Sequence, residues 1–232
     1  MRNSQFAVLS ALGLVVAFML GVAVWIRLVA EPTPELSGQR TSGRYDYSGF
    51  TGVDASGLWE VAIERGDAWR IAIEAPEELL DDIEVELEGE ELSFGYEGEC
   101  AGCFRDGITL KATVTMPELE SLDLSGVTKL SFSGFDGASL SLDMSGASEL
   151  RGAASRFDSL SLDKSGVGNL DLGDVTVTNA AVDISGAGKV TLRMGGGRLS
   201  GDMSGFGNLE YYGTVSEQTV ESSGFVTVRR VD

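Results

Sequence analysis

The chain alternates apolar and polar residues in short runs, and from Ser121 onward those runs recur at a fixed interval. Leu122-Asp123-Leu124-Ser125-Gly126 returns as Leu142-Asp143-Met144-Ser145-Gly146, then as Leu162-Asp163-Lys164-Ser165-Gly166, then as Val182-Asp183-Ile184-Ser185-Gly186. Gly201-Asp202-Met203-Ser204-Gly205 and Val220-Glu221-Ser222-Ser223-Gly224 are looser copies. The Ser-Gly pairs start at 125, 145, 165, 185, 204 and 223, so the steps are 20, 20, 20, 19 and 19. Four residues past each Gly stands an apolar residue: Leu130, Leu150, Leu170, Val190, Leu209 and Val228. A period this regular, clearest over 121–228, predicts stacked repeats. Alternations such as Leu140-Ser141-Leu142 and Val190-Thr191-Leu192 put every second residue on one face. Gly takes the positive φ of a tight corner without strain. Each repeat therefore predicts one coil of two or three short strands. Coils stacked about 4.8 Å apart bury one continuous apolar column, worth roughly 1.5–3 kcal/mol per aliphatic side chain. The expected fold is all-β, a right-handed parallel β-helix (β-solenoid) with coils of about 20 residues.

The same template occurs upstream. Val53-Asp54-Ala55-Ser56-Gly57, followed by Val61, fits it 69 residues before the first clean copy. Trp59–Ile63 and Trp69–Ile73 alternate on either side of Arg65-Gly66-Asp67, which predicts a hairpin-like turn. Pro76 to Asp82 is polar enough for one turn of helix. Ile83–Leu87 and Leu92–Tyr96 form a strand pair around Gly89, and Ile108–Met116 alternates until Pro117 stops it. These segments predict the first coils and a cap for the open end. Arg229, Arg230 and Asp232 place charges at the other end, a guard against edge pairing.

Residues 6–26 carry no charge. As a helix they span about 32 Å, the thickness of a bilayer core. Residues 1–30 are therefore expected to be an N-terminal membrane anchor, with Arg2 favouring an inside amino terminus. A cleaved signal peptide is the rival reading, although Leu28-Val29-Ala30 is a poor cleavage site. Residues 31–48, with Pro32, Pro34, Gly38 and Gly43, read as a flexible tether, and residues 49–232 as the β-helix domain.

Charge narrows the partners. There are 17 basic and 36 acidic residues, a net charge of −19. That excludes a nucleic-acid surface and argues against lying flat on anionic lipid. The chain has no His, hence no Ser-His-Asp or Cys-His machinery. Gly195-Gly196-Gly197 is better read as a coil corner than as a phosphate cradle. No catalytic residue, cofactor or metal is expected.

In register, Asp123, Asp143, Asp163, Asp183, Asp202 and Glu221 form a ladder. Neighbouring carboxylates about 5 Å apart repel by about 1 kcal/mol in water and by much more in a dry interior, so the ladder must face solvent, be hydrogen-bonded or hold cations. Its plain reading is an Asx-type corner. Its weaker reading is a ligand or cation site, at a spacing unlike the nine-residue calcium repeat. The spacing would also suit a retaining glycosidase, which needs one carboxyl of raised pKa. Lys164 stands where other copies carry Leu124, Met144, Ile184 and Met203, so that position is expected to be partly exposed or the lysine to snorkel out. Trp59, Trp69, Tyr211 and Tyr212 would bind glycans if exposed, and otherwise fill the column. Cys100 and Cys103 are expected to form a local disulfide pinning their loop; a redox dithiol, free thiols and zinc are the alternatives, zinc disfavoured by having only two thiols and no His.

The order of these features resembles a known family. Phe50-x-x-Val53, a strand pair around Gly, Leu79-Leu80-Asp81-Asp82-Ile83, a strand ending in Met116-Pro117-x-Leu119, and then Leu-x-Leu-Asp-x-Ser-Gly repeats look like the head GIN domain, an adhesin class of bacterial envelope proteins. The resemblance covers about 50–232. It implies a β-helical fold and an extracytoplasmic place, and it names no catalytic residues. The Cys loop and the anchor depart from it. Together these features lead to an expected non-catalytic, adhesin-like binding or envelope-scaffold module. It would be held at the inner membrane by its N-terminal helix, with the domain in the periplasm or outside the cell. Its ligand would be an envelope polymer, glycan or protein. A carbohydrate-active enzyme on the same scaffold is the alternative, and an element stacking end to end is a third. Oligomeric state stays open.

Overall fold

The computed structural model describes residues 39–96 and 109–232. The segment 1–38, with the expected anchor, and the segment 97–108, with Cys100 and Cys103, lie outside the described residues. No described helix is long and apolar enough to cross a membrane.

The described chain is a β-solenoid of about six turns. Its regular part runs through β2 (Gly52–Arg65), β7 (Ser121–Ser133), β8 (Asp136–Met144), β9 (Ala147–Ala153), β10 (Ser155–Val167), β11 (Leu170–Gly195), β12 (Arg198–Thr214) and β13 (Glu217–Arg230). All pairings among these strands are parallel and keep the sequence period. Leu122 lies on Leu142, Leu142 on Leu162 and Leu162 on Val182. The upstream copy joins the stack as its spacing predicts: Gly52 to Glu64 pairs residue by residue with Ser121 to Ser133. Leu122, Leu124, Leu130, Leu150, Leu170, Leu192 and Leu209 line a closed apolar column, none more than 2% exposed.

The intervening segment builds the cap. β5 (Glu91–Tyr96) lies on the first half of β2 and β6 (Leu110–Met116) on the second, so the two occupy one coil above it. Beyond them the direction changes. β3 (Arg70–Pro76) pairs antiparallel with β6, β4 (Ile83–Glu88) antiparallel with β5, and β1 (Arg40–Tyr45) antiparallel with β3. A 3-10 helix, Glu77–Asp82, crosses the end and buries Leu79. Trp69 donates its indole N–H to the Phe50 carbonyl at 2.9 Å, anchoring β3 over the column.

Two local expectations change. β2 and β3 are not a hairpin, because β6 lies between them and Gly66 N–H donates to the Met116 carbonyl. β6 takes the interior position with Leu110, Ala112, Val114 and Met116 buried on one face, and β3 lies outside it. Within the segment read as a tether, Arg40–Tyr45 forms β1. Its binding is mostly backbone pairing, reinforced by Arg40 on Glu74 at 2.6 Å, and needs no apolar pattern.

Candidate functional site

The Ser-Gly corner is where the coils present an ordered outer surface. Each corner Gly has positive φ, from 75° at Gly146 to 112° at Gly186. A Cβ on Gly126 would come within 2.8 Å of the Gly57 backbone, so conformation and stacking demand Gly together. The corner carbonyl is also tied down. Trp59 Nε1 donates to Ser56 O, Thr128 Oγ1 to Ser125 O and Ser148 Oγ to Ser145 O, at 2.9–3.1 Å.

In the next three coils that donor position is Gly168, Gly188 and Gly207, and Lys164 fills the space. It is 2% exposed, and its Nζ donates to Ala187 O at 3.2 Å and Gly166 O at 3.5 Å. This corrects the expectation of partial exposure. The position is core, and the ammonium reaches two backbone carbonyls in room the glycines leave, one of which, Ala187 O, also accepts the Gly168 N–H. Burial lowers its pKa.

Two files of side chains flank the corner. The first is the carboxylate ladder. Asp123, Asp143, Asp163, Asp183 and Asp202 stack in register and are exposed, with Asp54 above and Glu221 below. None closes an Asx turn. The N–H two residues on serves the sheet instead, as where Ser145 N–H donates to Leu124 O at 2.8 Å. An Asx turn does form elsewhere, from Gly173 N–H to Asp171. Among the described residues no three acidic or thiol groups converge on a metal position.

The ladder is not uniform. Burial, then Asp123 and Glu91, push Asp54 up to about 6. Burial, then Asp143 and Glu91, raise Asp123. Glu91 enters from the cap strand β5, opposite Gly52, so the inequality arises at the junction of cap and coils.

The second file is not among the candidates named from the sequence. The residue after each corner Gly is apolar: Leu58, Val127, Ala147, Val167, Ala187, Phe206 and Phe225 stack tier on tier, Leu58 and Ala187 partly buried and the other five exposed. Val167 is 63% exposed, Phe206 64% and Phe225 79%. The last two rings stack 5.3 Å apart with planes 13° from parallel. Seven tiers at about 4.8 Å make a stripe roughly 29 Å long. Over its upper half it floors a shallow groove of about 470 Å³, edged by Glu60, Lys129 and Glu149. Apolar area so continuous on an outer surface marks an interaction face.

The aromatics singled out above do not belong to this outer file. Trp59 is 1% exposed and Tyr211 6%, so both are core. Trp69 and Tyr212 are half-buried, and Tyr212 carries Arg193 at 5.5 Å from its ring centre. Near the last coil Glu210, 4% exposed, receives Lys189 at 2.6 Å and Arg229. Those hydrogen bonds, from Lys189 first and then Arg229, hold its carboxyl down to about 2.

Comparison with curated proteins gives no match. Among solved structures, the chain is similar to a "putative adhesin" from Bacteroides fragilis at 15% identity and a TM-score of 0.65, over 84% of this chain and 99% of that one. It is also similar to a "putative lipid binding protein" from Parabacteroides distasonis at 17% identity and a TM-score of 0.51, over 84% of this chain and 98% of that one. At such identities the likeness is one of fold. The family described as "Putative auto-transporter adhesin, head GIN domain" matches residues 49–193, from the start of β2 through most of β11, and the chain belongs to that family.

Proposed function

We propose that this chain is an adhesin-like binding module of the cell envelope, tethered through residues 1–30 with its domain outside the cytoplasm, and that it binds along the corner face. The observation that carries this reading is the outward apolar file from Leu58 to Phe225, bordered throughout by carboxylates. A monomer gains nothing by keeping Phe206 and Phe225 in water, and substituting them would leave the column intact. Family membership supports the same class of function, and the acidic border favours envelope partners that are neutral or cationic over bare anionic lipid. The ligand is then an envelope polymer, glycan or protein with an apolar edge.

The test is binding of the full chain to isolated envelope material, with Val167→Glu and Phe206→Glu as variants. Both sites are exposed, so the fold should persist. Loss of binding in both supports the face. Retention in both, or indifference of the unaltered chain to all envelope fractions, refutes it.

One observation favours the hydrolytic alternative. Asp54 is the carboxyl of raised pKa that acid catalysis requires, and Asp123 is its partner one coil away. Against it, the small cavity alongside is lined by Thr51, Glu90, Glu91, Glu120, Ser121 and Ser139, without a basic group. Release of reducing ends from envelope glycans, abolished by Asp54→Asn, would establish hydrolysis.

A further inference from the structure

The cap carries a second concavity, remote from the glycine corner in sequence and different in chemistry. On the sheet of β1, β3 and β6, register sets Arg44 beside Ala72 and Ala72 beside Thr113. Arg70 lies beside Thr115. Ala72 is small between taller neighbours, and the dip it leaves, closed by Tyr45 and Trp69, has a volume of about 690 Å³.

The side chains around it divide into committed and uncommitted groups. Arg40 is held by Glu74, and Lys111 by Glu60. Arg44 and Arg70, both exposed, have no ion-pair partner among the described residues, and the Tyr45 hydroxyl makes no hydrogen bond there. Two uncommitted guanidiniums around one dip are unexpected in a chain of net charge −19. Trp69, by contrast, is fixed. Its indole N–H is spent on Phe50 O at 2.9 Å and its ring tilts against Phe50 at 6.4 Å, so its remaining surface is preorganised. Asp46 is the single carboxylate in the lining.

We infer that this concavity binds an acidic saccharide. Trp69 and Tyr45, each partly buried against the core, leave the remaining part of their rings in the lining as apolar surface for the C–H face of a pyranose. Arg44 and Arg70 present forked donors to its carboxylate. Thr113, Thr115 and Asp46 meet its hydroxyls. A bare anion would have no use for the rings, and a neutral sugar none for the two arginines. The site stands independently of the corner face.

Calorimetric titration of the full chain in detergent micelles tests it, using tetragalacturonate as probe with cellotetraose and inorganic phosphate as controls. Saturable binding of tetragalacturonate is expected, with both controls at least about tenfold weaker. Arg44→Ala and Arg70→Ala should each weaken it about tenfold while leaving the melting temperature unchanged, since both side chains are exposed. Arg70→Lys should fall between, as a point charge replaces a fork. The inference is overturned if tetragalacturonate fails to bind, if phosphate binds equally well (a bare anion site), if cellotetraose does (a neutral-sugar site), or if both alanine variants bind unchanged.

Discussion

The two ends of this solenoid solve the same problem in opposite ways. The upper end is closed. Strands turn antiparallel, Leu79 plugs the column, and Phe50 and Trp69 cover it. The lower end is a single parallel strand, β13, paired only with β12. Val220, Val226 and Val228 are partly buried there, whereas Leu209, one tier above Val228, is 0% exposed. The closed end gains burial and acquires an electrostatic cost, because Glu91, Asp54 and Asp123 are drawn together. At the open end, ion pairs from Arg229 and Lys189 to Glu210 supply part of what packing does not. Stability in a stacked repeat is a sum over neighbours, so a coil with one neighbour must be the looser.

The largest expected effect compares one substitution at two corners. Gly146→Ala adds a Cβ at φ 75° against the Gly126 backbone, with coils on both sides. It should cost about 3 kcal/mol in urea unfolding. Gly224→Ala meets Gly205 O at 2.7 Å, but β13 can shift away, and under about 1 kcal/mol is expected. Equal costs would mean the open end is as rigid as the body.

Lys164→Met should stabilise the middle of the stack by about 1–2 kcal/mol at pH 7 by removing a desolvated charge. The sign with pH is definite. Its pKa is lowered in the fold, so the unfolded chain holds the proton longer, and stability rises with pH up to the ordinary lysine value of 10.5. A Met variant that melts lower than the parent, or keeps the alkaline rise, would contradict this account.

Acid should act oppositely at the two ends. Asp54 has its pKa raised from 3.8 to about 6, so its penalty is present above pH 6 and disappears as pH falls toward 4. Asp54→Asn should therefore stabilise by about 1 kcal/mol at pH 7, after allowing for screening over its exposed half, and by nothing near pH 4. Glu210 is lowered from 4.5 to about 2, so its contribution is complete above 4.5 and lost as pH drops through 2. Amide exchange should slow around β5 and the start of β2 between pH 7 and 4, once intrinsic rates are removed. At the same fixed pH values Arg229→Ala should speed exchange in β13 alone, the smallest of these effects. Protection changing together at both ends would sink the contrast.

The body was readable because one unit repeats. The step of 20, then 19, residues set every vertical neighbour from β7 down, and even the 69-residue offset of Asp54 from Asp123 survived folding. The cap was less so. Trp59–Ile63 and Trp69–Ile73 have matching alternation, but nothing local says that Leu110–Met116 will enter between them. Lys164 was not legible because its solvation comes from the backbone carbonyls of Gly166 and, one coil on, Ala187. The outer apolar file was in plain view. Val127 and Val167 sit at odd positions where the column takes even ones, and parity alone assigns them outward. The exposed series shares its period with the buried one, so periodicity alone does not separate them. The inequality of Asp54 was not legible, since it comes first from burial, then from Asp123 and Glu91, and nothing local announces that β5 will lie against it.

The column of corner glycines also makes the molecule a ruler. Because nothing projects from that column between tiers, a whole repeat could be copied or excised without disturbing the faces above and below. Each 20-residue increment would then add one carboxylate, one outward apolar residue and about 4.8 Å of reach. Length along the solenoid axis, and with it the span of any ligand held across several tiers, becomes adjustable in discrete steps while the chemistry of each step stays constant.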